Sequence, residues 1–158
     1  MLEFFKKIIE YFNLHQVPYM LSGSIAIGLY VVPRTTRDID FVVNLQPDHV
    51  DGFVKNFEGE YYCSEIAVKD AISHHSLFNV IDHAPGYKAN FVILKNQEHR
   101  LAEFEHRKKV SFFGVDLFVA SGPWPAADVD DTPEHIKRKQ LEIWLAKPPE
   151  ERIRLTCR

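Results

Sequence analysis

Apolar residues along this chain recur at two spacings, and the switching between them predicts an α/β architecture. Leu2, Phe5, Ile8, Ile9 and Phe12 follow helical spacing and predict an amphipathic helix to about Leu14, stopped ahead of Pro18. Tyr19 to Ser22 predicts a short strand, after which Gly23-Ser24 opens a short helix carrying Ile25, Ala26, Ile27 and Leu29, ended before Pro33. Asp38-Ile39-Asp40 leading into Phe41-Val42-Val43 predicts a second strand reaching Leu45. Pro47 sits near the first position of a helix with Val50, Phe53, Val54 and Phe57 on one face. Tyr61 to Cys63 reads as a short strand, and Ser64-Glu65 opens a helix through Ala71. Ser76–Asp82 and Tyr87–Leu94 flank a Pro-Gly turn as a hairpin, and Lys95–Lys108 has helical character. Lys109–Phe113 and Val115–Ala120 form a second hairpin around Gly114. Beyond it lie a Pro-rich loop around Trp124, a helix over Pro133–Ala146 capped by Thr132, and a last short helical segment after Pro149. The pattern therefore divides into an α/β core of a mixed β-sheet flanked by helices (1–120), then a linker with a helical C-terminal extension (121–158).

Composition narrows the class. The 158 residues are enough for one substantial core, and 46% hydrophobic with 26% charged residues is ordinary for a folded globular chain. A net charge of -3 offers no overall basic field for generic nucleic-acid binding. No run approaches the ~18–20 apolar residues of a membrane span, so no membrane association is expected. Glu3 and Glu10 in the first helix argue against a signal peptide. Cys63 and Cys157 read as two thiols of a cytoplasmic protein rather than a disulfide. The scattered histidines have no zinc-ligand spacing with cysteine partners, His74-His75 point apart if they lie on a strand, and no serine sits in a nucleophile-elbow context.

Candidate chemistry concentrates between Leu21 and Val43. A glycine turn at a helix start, here Gly23-Ser24, presents free backbone N–H groups and the positive end of the helix dipole, which suits a phosphate. On a strand, residues two apart share a face, so Asp38 and Asp40 project together while Ile39 faces the core. Two adjacent carboxylates repel unless a cation sits between them. Arg34 and Arg37 stand just upstream, placed to contact phosphates or to pair with Asp38 or Glu65.

This ordered combination, Gly-Ser on a short helix and then Arg-x-Thr-x-Asp-Ile-Asp entering a strand, resembles the nucleotidyltransferase superfamily with its DNA polymerase β-like fold. Within it the wording is similar to the small prokaryotic branch related to abortive-infection and toxin–antitoxin nucleotidyltransferases. The resemblance covers roughly residues 1–120 and implies a nucleotidyltransferase-like sheet core. It implies that Gly23 and Ser24 hold the triphosphate of an NTP, with Arg34 and Arg37 on the phosphates. It further implies that Asp38 and Asp40 bind Mg²⁺, one ion or two. The activity implied is transfer of a nucleotide from Mg-NTP to a hydroxyl of a protein, RNA or small-molecule acceptor by a two-metal mechanism.

Two features depart from that family's pattern. A third carboxylate belongs on a later strand, in wording like Lys-Val-Asp; here Lys88-Ala89-Asn90 puts Asn90 in that catalytic position. An amide is neutral and cannot take a proton from an attacking hydroxyl. Asp82, on the preceding strand, is the other candidate for that charge, with its place near a hairpin turn against it. The Pro-rich linker after Ala120 also replaces a helix that packs back on the core in the family. The alternative function is accordingly a catalytically impaired nucleotide-binding member, acting as a regulatory or toxin–antitoxin component with a cognate protein partner.

Overall fold

The computed structural model describes residues 2–23, 26, 38–83, 86–112, 114–121, 142–143 and 145–156. Helix α1, Leu2–Leu14, places Phe4, Phe5, Ile8, Ile9, Tyr11 and Phe12 on one buried stripe. Strands β1 (Tyr19–Ser22) and β2 (Asp38–Val43) follow, then a single 3₁₀ turn (Pro47–His49) leading into α2 (Val50–Phe57). Next come β3 (Tyr61–Cys63), α3 (Glu65–His74), β4 (Leu77–Asp82) and β5 (Lys88–Ile93). Helix α4 (Glu98–Glu105), β6 (Lys108–Phe112), β7 (Val115–Val119) and α5 (Pro149–Thr156) complete the described elements.

The strands form one sheet of seven in the order β3-β4-β5-β2-β1-β7-β6. β2 runs parallel to β5 and β1 parallel to β7, while the other neighbours are antiparallel. The expected α/β class, a mixed sheet flanked by helices, is the one the chain adopts. One sheet face is buried under α1, α2 and α3, whose apolar stripes meet Tyr19, Leu21, Ile39, Phe41, Val80 and Phe91. A smaller cluster of Met20, Phe104 and Ala120, with Val42 and Leu94 against it, holds α4 to the other face.

Aromatic rings set the register at the centre. Phe41 and Phe91 are paired across β2 and β5 and stack at 5.4 Å and 8°. Phe12 and Phe53 meet Phe91 edge-on from the helices, at 5.9 Å and 5.5 Å. Such ring pairs contribute ~0.5–1.5 kcal/mol each beyond the area they bury.

Several element ends differ from the pattern-based expectation. Helix α4 is shorter than Lys95–Lys108, because Gln97 is still extended (φ −119°, ψ 134°) and Lys108 joins β6 opposite Val119. Helix α3 passes Ala71 and ends at His74, where His75 takes a left-handed conformation (φ 47°) as its cap. The two histidines therefore close a helix and do not lie on a strand; their rings reach the backbone oxygens of Asp70 and Leu94. β2 stops at Val43, two residues before Leu45. Most of the helix expected after Gly23, most of the Pro133–Ala146 helix, Trp124 and Cys157 lie outside the described residues. No described helix is long and apolar enough to cross a membrane.

Tyr19 ties three elements together. Its hydroxyl donates to Asn13 Oδ1 of α1 at 3.1 Å, and Asn13 Nδ2 donates to the Asp116 carbonyl of β7 at 2.7 Å. Burial pushes the Tyr19 hydroxyl from 10.0 up to about 12, and the Cys63 thiol from 9.0 up to about 11. In each case the unfolded chain releases its proton first, so the folded state binds more protons in between and stability falls as pH rises. These two groups should therefore make the urea-unfolding free energy decline between about pH 9 and pH 12. Tyr19→Phe should cost roughly 1 kcal/mol at pH 8 through the lost hydrogen bond, yet flatten the part of the decline above pH 10. An equally steep decline in this variant would show that Tyr19 does not generate it.

Candidate functional site

Alternation along three neighbouring strands builds the site. Ile39, Phe41 and Val43 of β2 and Ala89, Phe91 and Ile93 of β5 are buried against the helices. The period of two then turns Asp38, Asp40 and Val42, with Lys88, Asn90 and Val92, to the opposite face. Met20 and Ser22 of β1 share that face. In the ladder Asp40 stands opposite Asn90 on one side and Ser22 on the other, and Asp38 stands opposite Lys88.

The contacts around Asp40 are specific. Asn90 Nδ2 donates to Asp40 Oδ1 at 2.8 Å, and Asn79 Nδ2 of β4 donates to Asn90 Oδ1 at 2.8 Å. A carboxylate only accepts, so the amide of Asn90 must turn its NH₂ toward Asp40 and its oxygen toward Asn79. Ser22 Oγ donates to the Asp40 carbonyl at 3.4 Å. Lys88 Nζ lies 3.6 Å from Asp38 Oδ2, an exposed ion pair at the outer end of the same row.

Gly23 closes the site against the other oxygen of Asp40. Its φ of +66° is left-handed, and a Cβ built there would lie 2.9 Å from Asp40 Cβ and Cγ and closer still to Oδ2. Only glycine allows the turn and the carboxylate to approach this closely.

Of the residues singled out in the sequence, Gly23, Asp38, Asp40 and Asn90 come together on one face. Ser24, Arg34 and Arg37 lie outside the described residues. Asp82 falls elsewhere: at the end of β4, opposite Tyr61, it shares the helix-covered face of Phe78 and Val80, not the face of Asn79.

Among the described residues no three His, Cys, Asp or Glu side chains gather in a group able to hold a metal. Asp38 and Asp40 fit the donor set of one Mg²⁺, which usually takes one or two carboxylates and completes its shell with phosphates and water. The neutral Asn90 gives no comparable charge for a second ion.

A cleft of about 300 Å³ continues from Ser22 and Gly23 along the sheet. Met20, Val42 and Val92 line it with apolar surface, and Lys95, Gln97 and Arg100 add polar groups from the segment before α4 and from α4 itself. Sequence reading missed both the cleft and Asn79. The available signal for Asn79 was one amide within Leu77-Phe78-Asn79-Val80-Ile81, an otherwise apolar strand.

Comparison with models of known protein families gives no match, and comparison with curated proteins gives none. Among solved structures, the chain is similar to the lincomycin-bound crystal structure of the lincosamide antibiotic adenylyltransferase LnuA. The two are 14% identical with a TM-score of 0.48, over 85% of this chain and 92% of that chain.

The Gly23 geometry generates a direct test. Gly23→Ala introduces a Cβ into the space of the Asp40 carboxylate and strains a positive φ, so it should destabilise the fold by about 1–3 kcal/mol. Gly114→Ala has a comparable φ of +74° with nothing near the built Cβ, and should cost less, about 1 kcal/mol. Equal losses in urea melts of the two variants would mean that the approach to Asp40 carries no weight.

Proposed function

We propose that this chain is a nucleotidyltransferase of the cytoplasm that binds a magnesium nucleoside triphosphate over the Gly23 turn and the Asp38–Asp40 face. It moves the nucleotidyl group to a hydroxyl of a protein, RNA or small-molecule acceptor. The observation that supports this reading is the close approach of Gly23, at positive φ, to the Asp40 carboxylate. Gly23 and Ser24 would hold the phosphates, Arg34 and Arg37 would neutralise them, and Asp38 and Asp40 would hold Mg²⁺. When bound, the ion supplies charge neutralisation of the triphosphate and of the leaving pyrophosphate. In the transfer, the acceptor oxygen forms a bond to the α-phosphorus as the bond to the bridging oxygen breaks. Pyrophosphate leaves and the hydroxyl proton passes to solvent. The apolar cleft beside Gly23 gives room for the part of a ligand that is not phosphate.

A second reading rests on the hydrogen bonds of Asn90. With its amide spent between Asn79 and Asp40, Asn90 offers no carboxylate to take a proton from an attacking hydroxyl. In that reading the chain binds Mg-NTP without turning it over, as a regulatory or toxin–antitoxin component with a cognate protein partner.

Melting curves with each of the four NTPs, with and without Mg²⁺, test the binding common to both readings. At ~100 times its dissociation constant a ligand adds ~2.7 kcal/mol, which should appear as a shift of several degrees. Asp38→Ala with Asp40→Ala should remove the shift; an unchanged shift would place the nucleotide elsewhere. Asn90→Asp separates the readings. It should lower stability in chelator through repulsion with Asp40 and enlarge the gain from Mg²⁺. Transfer of labelled NTP to lysate proteins or tRNA should rise at least ~10-fold, within the ~10²–10⁴ typical of general-base assistance. Transfer by the unaltered chain as fast as by the variant would remove position 90 from the catalytic set. Binding by both with transfer by neither would establish the binder.

A further inference from the structure

We propose that Asn79 and Asn90 act together as a two-amide relay that positions Asp40, with Asn79 as a positioning residue that itself touches no ligand. The consequence for nucleotide binding rests on the reading above; the relay itself does not.

The plane of an aspartate carboxylate turns easily, since its terminal torsion is broad, and so does the plane of an asparagine amide. Asp40 has a hydrogen-bond anchor at one oxygen and a close steric neighbour at the other. Oδ1 accepts from Asn90 Nδ2 at 2.8 Å, and Oδ2 lies against the Gly23 turn. Asn90 needs an anchor of its own, because an amide turned by half a rotation would set its oxygen against the oxygen of Asp40. Asn79 supplies it: its NH₂ donates to Asn90 Oδ1 at 2.8 Å from the far side. The three side chains come from three adjacent strands, β4, β5 and β2, with Asn79 opposite Asn90 and Asn90 opposite Asp40 in the ladder.

The surroundings favour a positioning role over surface solubility. Along β4 the residues sharing the face of Asn79 are Leu77 and Ile81, 58% and 36% exposed, while Asn79 is itself half-buried. A strand that leaves two aliphatic side chains in water and shelters its amide is not using that amide to stay wet. The relay also gives the neutral residue at position 90 a task. It acts as a hydrogen-bond donor that orients the metal-facing carboxylate, not as a ligand in its own right.

The test uses the full chain and two readouts. The first is NMR of the ligand-free protein, following the side-chain amide protons of Asn90. They should be displaced from the values of free asparagine, slow to exchange, and moved by both Asn79→Ala and Asp40→Asn. Asn79→Ser, which keeps a donor, should move them less than Asn79→Ala. The second readout is the affinity for Mg-ATP, or whichever Mg-NTP gives the largest melting shift. Losing one net hydrogen bond's worth of orientation should weaken it about fivefold in Asn79→Ala, with Asn79→Ser recovering part of the loss. A residue that only supports the fold would lower the melting temperature and leave that affinity unchanged. Asn90 amide protons like those of free asparagine would overturn the relay outright. Displaced amide protons with affinity unchanged in Asn79→Ala would overturn the positioning role. An intact relay signature in a chain that binds no Mg-NTP would uphold the relay and reject the nucleotide reading instead.

Discussion

The stack of Phe41 on Phe91 determines where the rest of the site can be. Those rings face each other across a parallel strand pair, in register, inside a core that also contacts them from α1 and α2. Because a strand's faces alternate, burying Phe41 with Phe91 forces Asp40 and Asn90, one residue upstream on each strand, into partnership on the opposite face. A slip of one residue would bury the aspartates and expose the phenylalanines, at a cost far beyond any gain the site could return. The aromatic core thus holds the polar site in register without contacting it. Substitutions among these rings would disturb the Asp40–Asn90 pairing even though they lie on the far side of the sheet.

This coupling explains what the sequence disclosed and what it withheld. The Asp38-Ile39-Asp40 spacing made the facing of the aspartates and the strand identity legible, while the match of Asn90 to that site came from the resemblance at Lys88-Ala89-Asn90. The strict alternation is one of burial, seen only in the structure. Helix ends were less legible. Lys95 to Gln97 at one end, and Arg107 and Lys108 at the other, have ordinary helix propensity, and tertiary pairing of Lys108 with Val119 outweighs it. His75 could not be placed because its left-handed cap is a property of the turn and not of histidine. Asn79 was invisible for a different reason. Its meaning comes from a neighbour eleven positions on, reached only once the hairpin has closed.

The electrostatics of the face are graded along its strands. At the outer end Asp38 meets the Lys88 ammonium, in solvent that screens the pair and leaves it worth little. One step inward Asp40 is met by a neutral amide and a glycine turn, contacts that orient its charge without cancelling it. Further along, Val42, Val92 and Met20 make the surface apolar. A ligand with a cationic or cation-bound end and a less polar body matches this order, whereas a bare anion does not.

The neutrality of position 90 then has two opposite effects. A third carboxylate at 2.8 Å from Asp40 would add repulsion in the absence of a cation, so the amide favours a site that is folded and ordered before any ion arrives. The same amide forgoes the charge that would hold a second ion and accept a proton. A site of this kind exchanges chemical power for preorganisation. Asp40 is held at Oδ1 by Asn90, and Gly23 packs close against its other oxygen. Whatever cation or phosphate meets this face finds a carboxylate already oriented, and the entropy of ordering it has been met by the fold.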